Sequence, residues 1–358
     1  MTEFAARRRR AVAAFAARKI DALIASSAPS VRYLTGFTGS AGMALVSPGS
    51  AILFTDPRYG TQAAAEADCA VRVVRGPLHP ELIAAAARRR LRRLGFEDGR
   101  LTCQAAREIE AALPLGSTIE PAAGLVEALR MVKSGTEIAL IRRSVALNSE
   151  AFARALADFR PGISESALAA AIEYQMRLLG AEKPAFDTIV ASGPRSAMPH
   201  AQPTSKPIRP NRLLLIDMGA TCEGYASDMT RMGFLGRPPR KIREMYAAVL
   251  EAQLAAIDAV RPGVPAGDVD RAARRVLRAR GLEKAFLHST GHGLGLEIHE
   301  APRLARAAGT PLEAGMAITI EPGAYREGFG GIRIEDTVVV TSSGCEVLTS
   351  TSKELLVL

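Results

Sequence analysis

The chain has 358 residues, 48% of them apolar, with 46 Lys and Arg against 37 Asp and Glu and a formal net charge of +9. That length suits two domains of ordinary size and excludes a peptide-sized scaffold or an acidic disordered tail. The positive excess invites a nucleic-acid partner, yet aromatic residues make up 5% and Trp is absent, which leaves little on which bases could stack.

Arg supplies 39 of the 46 positive residues, and residues 1–130 hold 18 Lys and Arg against 12 Asp and Glu. The dense clusters Arg7–Arg10 and Arg88–Arg93 fall on predicted helices and read as solvated faces, so no nucleic-acid partner is expected. In the N-terminal MTEFAARRRRAVAAFAARKIDALIAS, Arg18 and Lys19 break the apolar stretch, so no signal peptide is expected and a cytoplasmic location is. No run of about 18 apolar residues appears, so no membrane span is predicted. Cys69, Cys103, Cys222 and Cys345 are far apart and form no C-x-x-C pair, which points to buried or idle thiols rather than to disulfides or a thiolate zinc site.

A helical pattern runs from Glu3 to Ile20, followed by apolar runs at Ala22–Ala25, Ala41–Val46, Ala51–Phe54 and Val71–Val74. Helical stretches at Pro80–Leu94 and Cys103–Leu113 complete a small α/β layer pattern. TGFTGSAG lacks the Gly-Lys-Ser/Thr of a phosphate loop, and no helix pattern starts directly after it. A boundary is predicted near residues 125–135, before an amphipathic helix over Thr136–Phe159 with Glu137 placed to favour its start.

The remainder reads as an internal repeat. Pro161-Gly162 leads to Gly180-Ala-Glu-Lys183 and Pro262-Gly263 to Gly281-Leu-Glu-Lys284, each over 18 residues from Gly to Gly. Amphipathic helices precede both copies (Thr136–Phe159 and Arg240–Val260), and a second helix lies between the glycines of each. An apolar strand ending in an acid follows each copy, at Asp217 and Glu321, and a further strand-borne acid follows each, at Asp228 and Glu335. The offsets are 101, 104 and 107 residues. A chance recurrence of Pro-Gly turns would leave the matching acids unexplained.

Acids on apolar strands are costly to bury unless paired or bound to a cation. Any one of the four could be a salt-bridged or capping acid, but a pseudo-twofold axis would bring all four to one centre, where cations are the simplest remedy for their repulsion. Four of the five histidines lie between residues 200 and 299, and His292 sits in a Gly-rich turn, Gly291-His-Gly293-Leu-Gly295. His79 and His288 read as structural or solvated. One imidazole with four carboxylates is an oxygen-rich set that favours two divalent ions, Mn²⁺ foremost, with Co²⁺, Zn²⁺ or Fe²⁺ also compatible.

These residues resemble the metal-binding set of the pita-bread metallopeptidases. FDTIVASGPRSAMPHAQPT, DMGATCEGYASDMTR, STGHGLGLEIHEAPRL, AITIEPGAY and GGIRIED are similar to the Xaa-Pro peptidase branch, and YLTGFTGSAG and LFTDPRYGTQA resemble its creatinase-type N-terminal domain. The resemblance implies an α/β fold in two domains, residues 1–128 creatinase-like and 129–358 a pseudo-twofold catalytic domain. It further implies that Asp217 binds the first metal, His292 and Glu321 the second, and that Asp228 and Glu335 bridge both. Glu321 would serve as general base and acid, and His299 would stabilise the tetrahedral intermediate. His200 would position the proline side of the substrate, and Arg333 would orient the site.

The resemblance thus implies an exopeptidase acting on proline-containing peptides and forming a homodimer. Two substrate readings arise. The compact length and FTGSAG resemble short aminopeptidases that remove Xaa from Xaa-Pro-peptides, the reading favoured at this level. Arg303 lies where some Xaa-Pro dipeptidases (prolidases) carry a carboxylate-binding arginine. A creatinase-type amidinohydrolase and a non-catalytic binding protein are disfavoured by the complete ligand set.

Overall fold

Residues 2–358 are described by a computed structural model, whose first unit extends to Arg130 and whose second begins at Met131. Each unit is built around central strands whose apolar runs are too short for stable helices and are buried on both faces, with more exposed strands at the sheet edges. In the first unit Ala22–Ala25 reads Ala-Leu-Ile-Ala, is buried throughout, and lies inside a six-stranded sheet. It pairs antiparallel with Gly42–Ser47 and parallel with Arg93–Phe96. Ser50–Thr55 and then Ala70–Val73 extend one side, and Thr118–Pro121 the other.

Several expected elements differ in extent. The helix expected over Glu3–Ile20 is two, Glu3–Ala13 and Phe15–Arg18, closed by Lys19 at φ +56° so that the chain can turn into the central strand. The helix expected over Pro80–Leu94 is Leu78–Arg88. Arg90 reverses the chain at φ +57°, and Leu94 is wholly buried in the strand Arg93–Phe96. Arg88–Arg93 is therefore a helix end, a turn and a strand start, not one helix face. A helix at Ala28–Thr35, capped by Ser27 and ended by Gly36 at φ +86°, was not predicted.

In the basic cluster near the N-terminus Arg9 and Arg10 are exposed as expected, but Arg7 is not. Arg7 is 4% exposed, with its guanidinium 4.3 Å from the Tyr33 ring centroid and 2.6 Å from Glu3. It therefore contributes packing and a cation–π contact rather than free surface charge. All four cysteines are free; Cys222 is buried, Cys69 and Cys345 are half-buried and Cys103 is exposed. Among the described residues no helix is long and apolar enough to cross a membrane.

The repeat organises the second unit. The helices Gly135–Ala157 and Glu165–Leu178 pack on the strands Ile189–Ser192, Leu213–Met218 and Met229–Phe234 through one apolar cluster. Arg240–Asp258 and Ala266–Ala279 cover the strands Ala317–Ile320 and Asp336–Val340 through another. Gly162, Gly263, Gly180 and Gly281 all have positive φ, between +67° and +97°, where a side chain would be strained. Gly162 N–H donates to the Ile208 carbonyl and Gly263 N–H to that of Leu312, so each Pro-Gly turn is tied to the corresponding point of its own copy.

The long helix Gly135–Ala157 starts at a capping box: Ser134 Oγ accepts the Glu137 N–H, and Glu137 accepts the Ser134 N–H. Ser134→Ala should lower the unfolding free energy by about 1 kcal/mol in urea denaturation, and Ser134→Asp, which keeps an acceptor there, should recover most of it.

Candidate metal centre

The two strand pairs deliver the acids. Asp217 is the fifth residue of Leu213–Met218 and stands opposite Thr230 of the antiparallel Met229–Phe234; Asp228 immediately precedes that strand. Glu321 directly follows Ala317–Ile320, and Glu335 directly precedes Asp336–Val340. His292 does not lie in a turn. It is the middle residue of a short strand, Gly291–Gly293, with an irregular register against Glu300–Leu304. A Cβ on Gly291 would lie 1.9 Å from the Thr319 carbonyl oxygen, and one on Gly293 would lie 2.2 Å from that of Ala301. The flanking glycines are therefore required by close backbone approach.

A cavity of about 620 Å³ gathers all nine expected site residues: Asp217, Asp228, His292, Glu321, Glu335, His200, His299, Arg303 and Arg333. One ligand atom each of Asp228, His292 and Glu335 lies within 4.8 Å of the others. His292 Nε2 is 3.4 Å from Glu321 Oε1 and 3.6 Å from Asp228 Oδ2. His292 Nδ1–H donates to the Gly293 carbonyl at 3.0 Å, which fixes the tautomer and leaves the Nε2 lone pair directed at the carboxylates. Burial lowers the His292 pKa and so favours that neutral form.

The acids cannot all be ionised here without a counter-charge. Two unit charges about 5 Å apart repel by about 3 kcal/mol at an effective dielectric near 20, more than a typical hydrogen bond returns. Burial first, and then repulsion from Glu335, Asp217 and Glu321, pushes Asp228 well above the usual carboxylate range. Glu335 is raised by burial and by Glu321 and Asp217, and Glu321 is pushed up to about 7, chiefly by burial. Asp217 Oδ1 and Glu335 Oε1 are buried with no hydrogen-bond partner among the described residues. Unpartnered carboxylate oxygens beside a preset imidazole lone pair fit divalent cations, and the absence of thiolate from the set fits a hard ion.

Arg333, 3% exposed, ties the two halves together. Its Nη2 donates to Asp217 Oδ2 at 2.5 Å, and its Nε donates at 2.9 Å to Thr230 Oγ1, which in turn donates to Glu335 Oε2 at 2.7 Å. Its Nη1 reaches the Pro199 carbonyl at 3.2 Å and Tyr325 Oη at 2.8 Å, so one guanidinium also braces the segment carrying His200. Buried Glu165 closes the same segment by accepting from both the N–H and the hydroxyl of Ser192 and of Thr204. The His299 ring lies 4.4 Å from that of His292, and burial lowers its pKa. Arg303 is exposed, with its Nε 3.5 Å from Ser289 Oγ.

His288, expected to be structural or solvated, is held by both ring nitrogens and also lines the cavity. Its Nδ1–H donates to the Ser289 carbonyl, and its Nε2 accepts from Tyr325 O–H, both at 2.8 Å. The chain His288–Tyr325–Arg333–Asp217 thus runs from the cavity wall to the acids. Tyr325 and Glu165 were not singled out in the sequence, although Tyr325 stands in AITIEPGAY and His288 only four residues before His292.

Burial, then the Arg333 charge, lowers His288 from the ordinary 6.5 to about 4. The unfolded chain therefore binds the extra proton first on acidification. The contribution of this group is full above pH 6.5 and is lost as pH falls towards 4. The stability difference between the wild type and His288→Gln should shrink by about 2–3 kcal/mol between pH 7.5 and 4.5, measured by urea denaturation.

Residues 139–342 match metallopeptidase family M24, and residues 7–132 match the creatinase/prolidase N-terminal domain. The chain is 38% identical over 340 residues to an uncharacterised peptidase of Bacillus subtilis, covering 95% of this chain and 96% of that one. An Xaa-Pro dipeptidase from Bacillus anthracis superposes with a TM-score of 0.96 at 39% identity, covering 99% of this chain and 100% of that one. An X-Pro aminopeptidase from Thermotoga maritima gives 0.91 at 36% identity, covering 97% and 100%. With more than half its length matched and its second unit sharing the pita-bread fold of these structures, the chain belongs to metallopeptidase family M24.

Proposed function

We propose that the protein hydrolyses the Xaa-Pro bond of short peptides, with Xaa-Pro dipeptides as its first substrates, using two divalent ions of which Mn²⁺ suits the ligand set best. The observation that carries this reading is the convergence of four carboxylates and a neutral imidazole in a cavity whose wall also holds Arg303. Arg333 is committed to Asp217, Tyr325, Thr230 and the Pro199 carbonyl, so Arg303 is the arginine available to a substrate carboxylate. That availability favours a dipeptide, whose proline carboxylate needs a cation, over the longer peptides favoured by sequence alone. The likeness to an X-Pro aminopeptidase sustains the longer-peptide reading as the second.

In this reading Asp217, Asp228, His292, Glu321 and Glu335 hold the ions. Bound there, the ions would polarise the scissile carbonyl and lower the pKa of the attacking water towards neutrality. Glu321, with Oε1 3.3 Å from Thr319 Oγ1, takes a proton from the water and returns it to the leaving proline nitrogen. That return is essential, because the proline nitrogen can leave only as the neutral amine and not as an amide anion. His299, kept neutral by burial, donates a hydrogen bond to the carbonyl oxygen as charge develops. His200, exposed at the wall, bears on the proline side, and Arg333 holds Asp217 in place.

A panel of Xaa-Pro, Xaa-Pro-Pro and longer peptides assayed with Mn²⁺, Co²⁺, Zn²⁺ and Fe²⁺ should show cleavage of the dipeptides. Ready cleavage of tripeptides with the dipeptides untouched would reverse the choice between the two readings, and no cleavage with any metal would sink both. Arg303→Ala should raise KM for dipeptides by about tenfold or more, the loss of one charge-assisted hydrogen bond, while kcat changes little. Metal analysis of Glu335→Gln should show reduced divalent-ion content while circular dichroism remains that of the wild type.

A further inference from the structure

The helix Ala266–Ala279 buries Val269, Ala273 and Leu277 on one side and carries Arg271, Arg274, Arg275 and Arg278 at i, i+3, i+4 and i+7. Together with Arg306, which follows the strand Glu300–Leu304, these side chains form the entire lining of a surface cleft of about 330 Å³. It shares no residue with the metal cavity. Tertiary structure assembles this cluster from two segments, so it is less apparent in the sequence than Arg7–Arg10 or Arg88–Arg93.

Three carboxylates serve the five guanidiniums. Asp268 pairs with Arg271 and Asp270 with Arg274, while Glu283 is shared at 2.6 Å by Arg278 and 2.7 Å by Arg306. Arg275 has no ion-pair partner among the described residues. Two positive charges therefore remain in excess.

Two of the guanidiniums are also anchored to backbone. Arg274 donates to the carbonyls of Phe286 and His288, and its side chain is 11% exposed. Arg271 donates to the Arg306 carbonyl at 3.0 Å. A solvated helix face would leave such side chains free, whereas here their ordering is already part of the fold, which lowers the entropic cost of holding a ligand.

We propose that this cleft binds a phosphate dianion, either free or as the monoester of a small molecule. Guanidinium forks match phosphate oxygens, the two-charge excess matches a group that is mostly dianionic above its second pKa of about 6, and the volume lies at the small end of ligand pockets.

The test is isothermal titration calorimetry of the full chain with inorganic phosphate and with glycerol phosphate, at constant ionic strength. Saturable one-to-one binding is expected, weakened about tenfold or more by Arg275→Ala and by Arg306→Ala. It should be unchanged by Arg280→Ala, which removes an equal charge just beyond the helix, where Arg280 pairs with Glu251. Tighter binding of one probe identifies whether the free ion or a monoester is the better ligand. The proposal is overturned if neither probe binds saturably. It is equally overturned if binding persists undiminished in both cleft variants, as capture at the metal cavity would give, or if all three variants weaken it alike, as diffuse attraction to a basic surface would.

Discussion

Four carboxylates held within reach of one another and largely away from water dominate the second unit. Their mutual repulsion exceeds what any single hydrogen bond can return, so the surrounding structure is organised to oppose it. Arg333 supplies one fixed positive charge and spends every nitrogen on doing so, contacting Asp217, Thr230, Tyr325 and the Pro199 carbonyl. The oxygens left without partners, on Asp217 and Glu335, are the ones a divalent ion would satisfy. A site poised in this way is less stable empty than filled, and that difference in free energy is available to cation binding.

The pseudo-twofold arrangement explains how one chain concentrates so much charge. Each copy contributes an acid at the end of one strand and another beside its antiparallel partner, with the helices of that copy packed on the same strands. The apolar clusters fix strand position, and strand position fixes the carboxylates. Strands are well suited to this role, because a one-residue slip would move every side chain to the opposite face. The close contacts of Gly291 and Gly293 with neighbouring carbonyls impose the same demand on the strand that carries His292.

Much of this was legible in the sequence because it depends on spacing. The repeat, the four acids and the strands around them follow from periodicity and from acids placed where apolar side chains would otherwise stand, and His292 stood out by its flanking glycines, although these serve a strand and not a turn. Errors arose where tertiary packing decided the outcome. Arg7 looked solvated because a run of four arginines suggests a free face, yet Tyr33, brought from another helix, covers it. For His288 the structural reading could not name the partner, because Tyr325 lies 37 residues away and the two meet only across the folded cavity wall. The helix expected over Pro80–Leu94 ran too long because helix propensity is local, whereas the requirement for Leu94 in the sheet is not.

The sequence by itself determined which acids the apolar strands carry and that they come in two related sets, because residue identity and repeat spacing are properties of the chain. Only the tertiary structure decided how those residues are charged and oriented. A carboxylate's proton affinity depends on burial and on neighbours contributed by other strands, and the tautomer of His292 depends on the carbonyl its ring meets. The same holds for the arginines of Ala266–Ala279. Their helical spacing is written in the chain, but the cleft they form with Arg306 exists only once a distant segment has packed beside them.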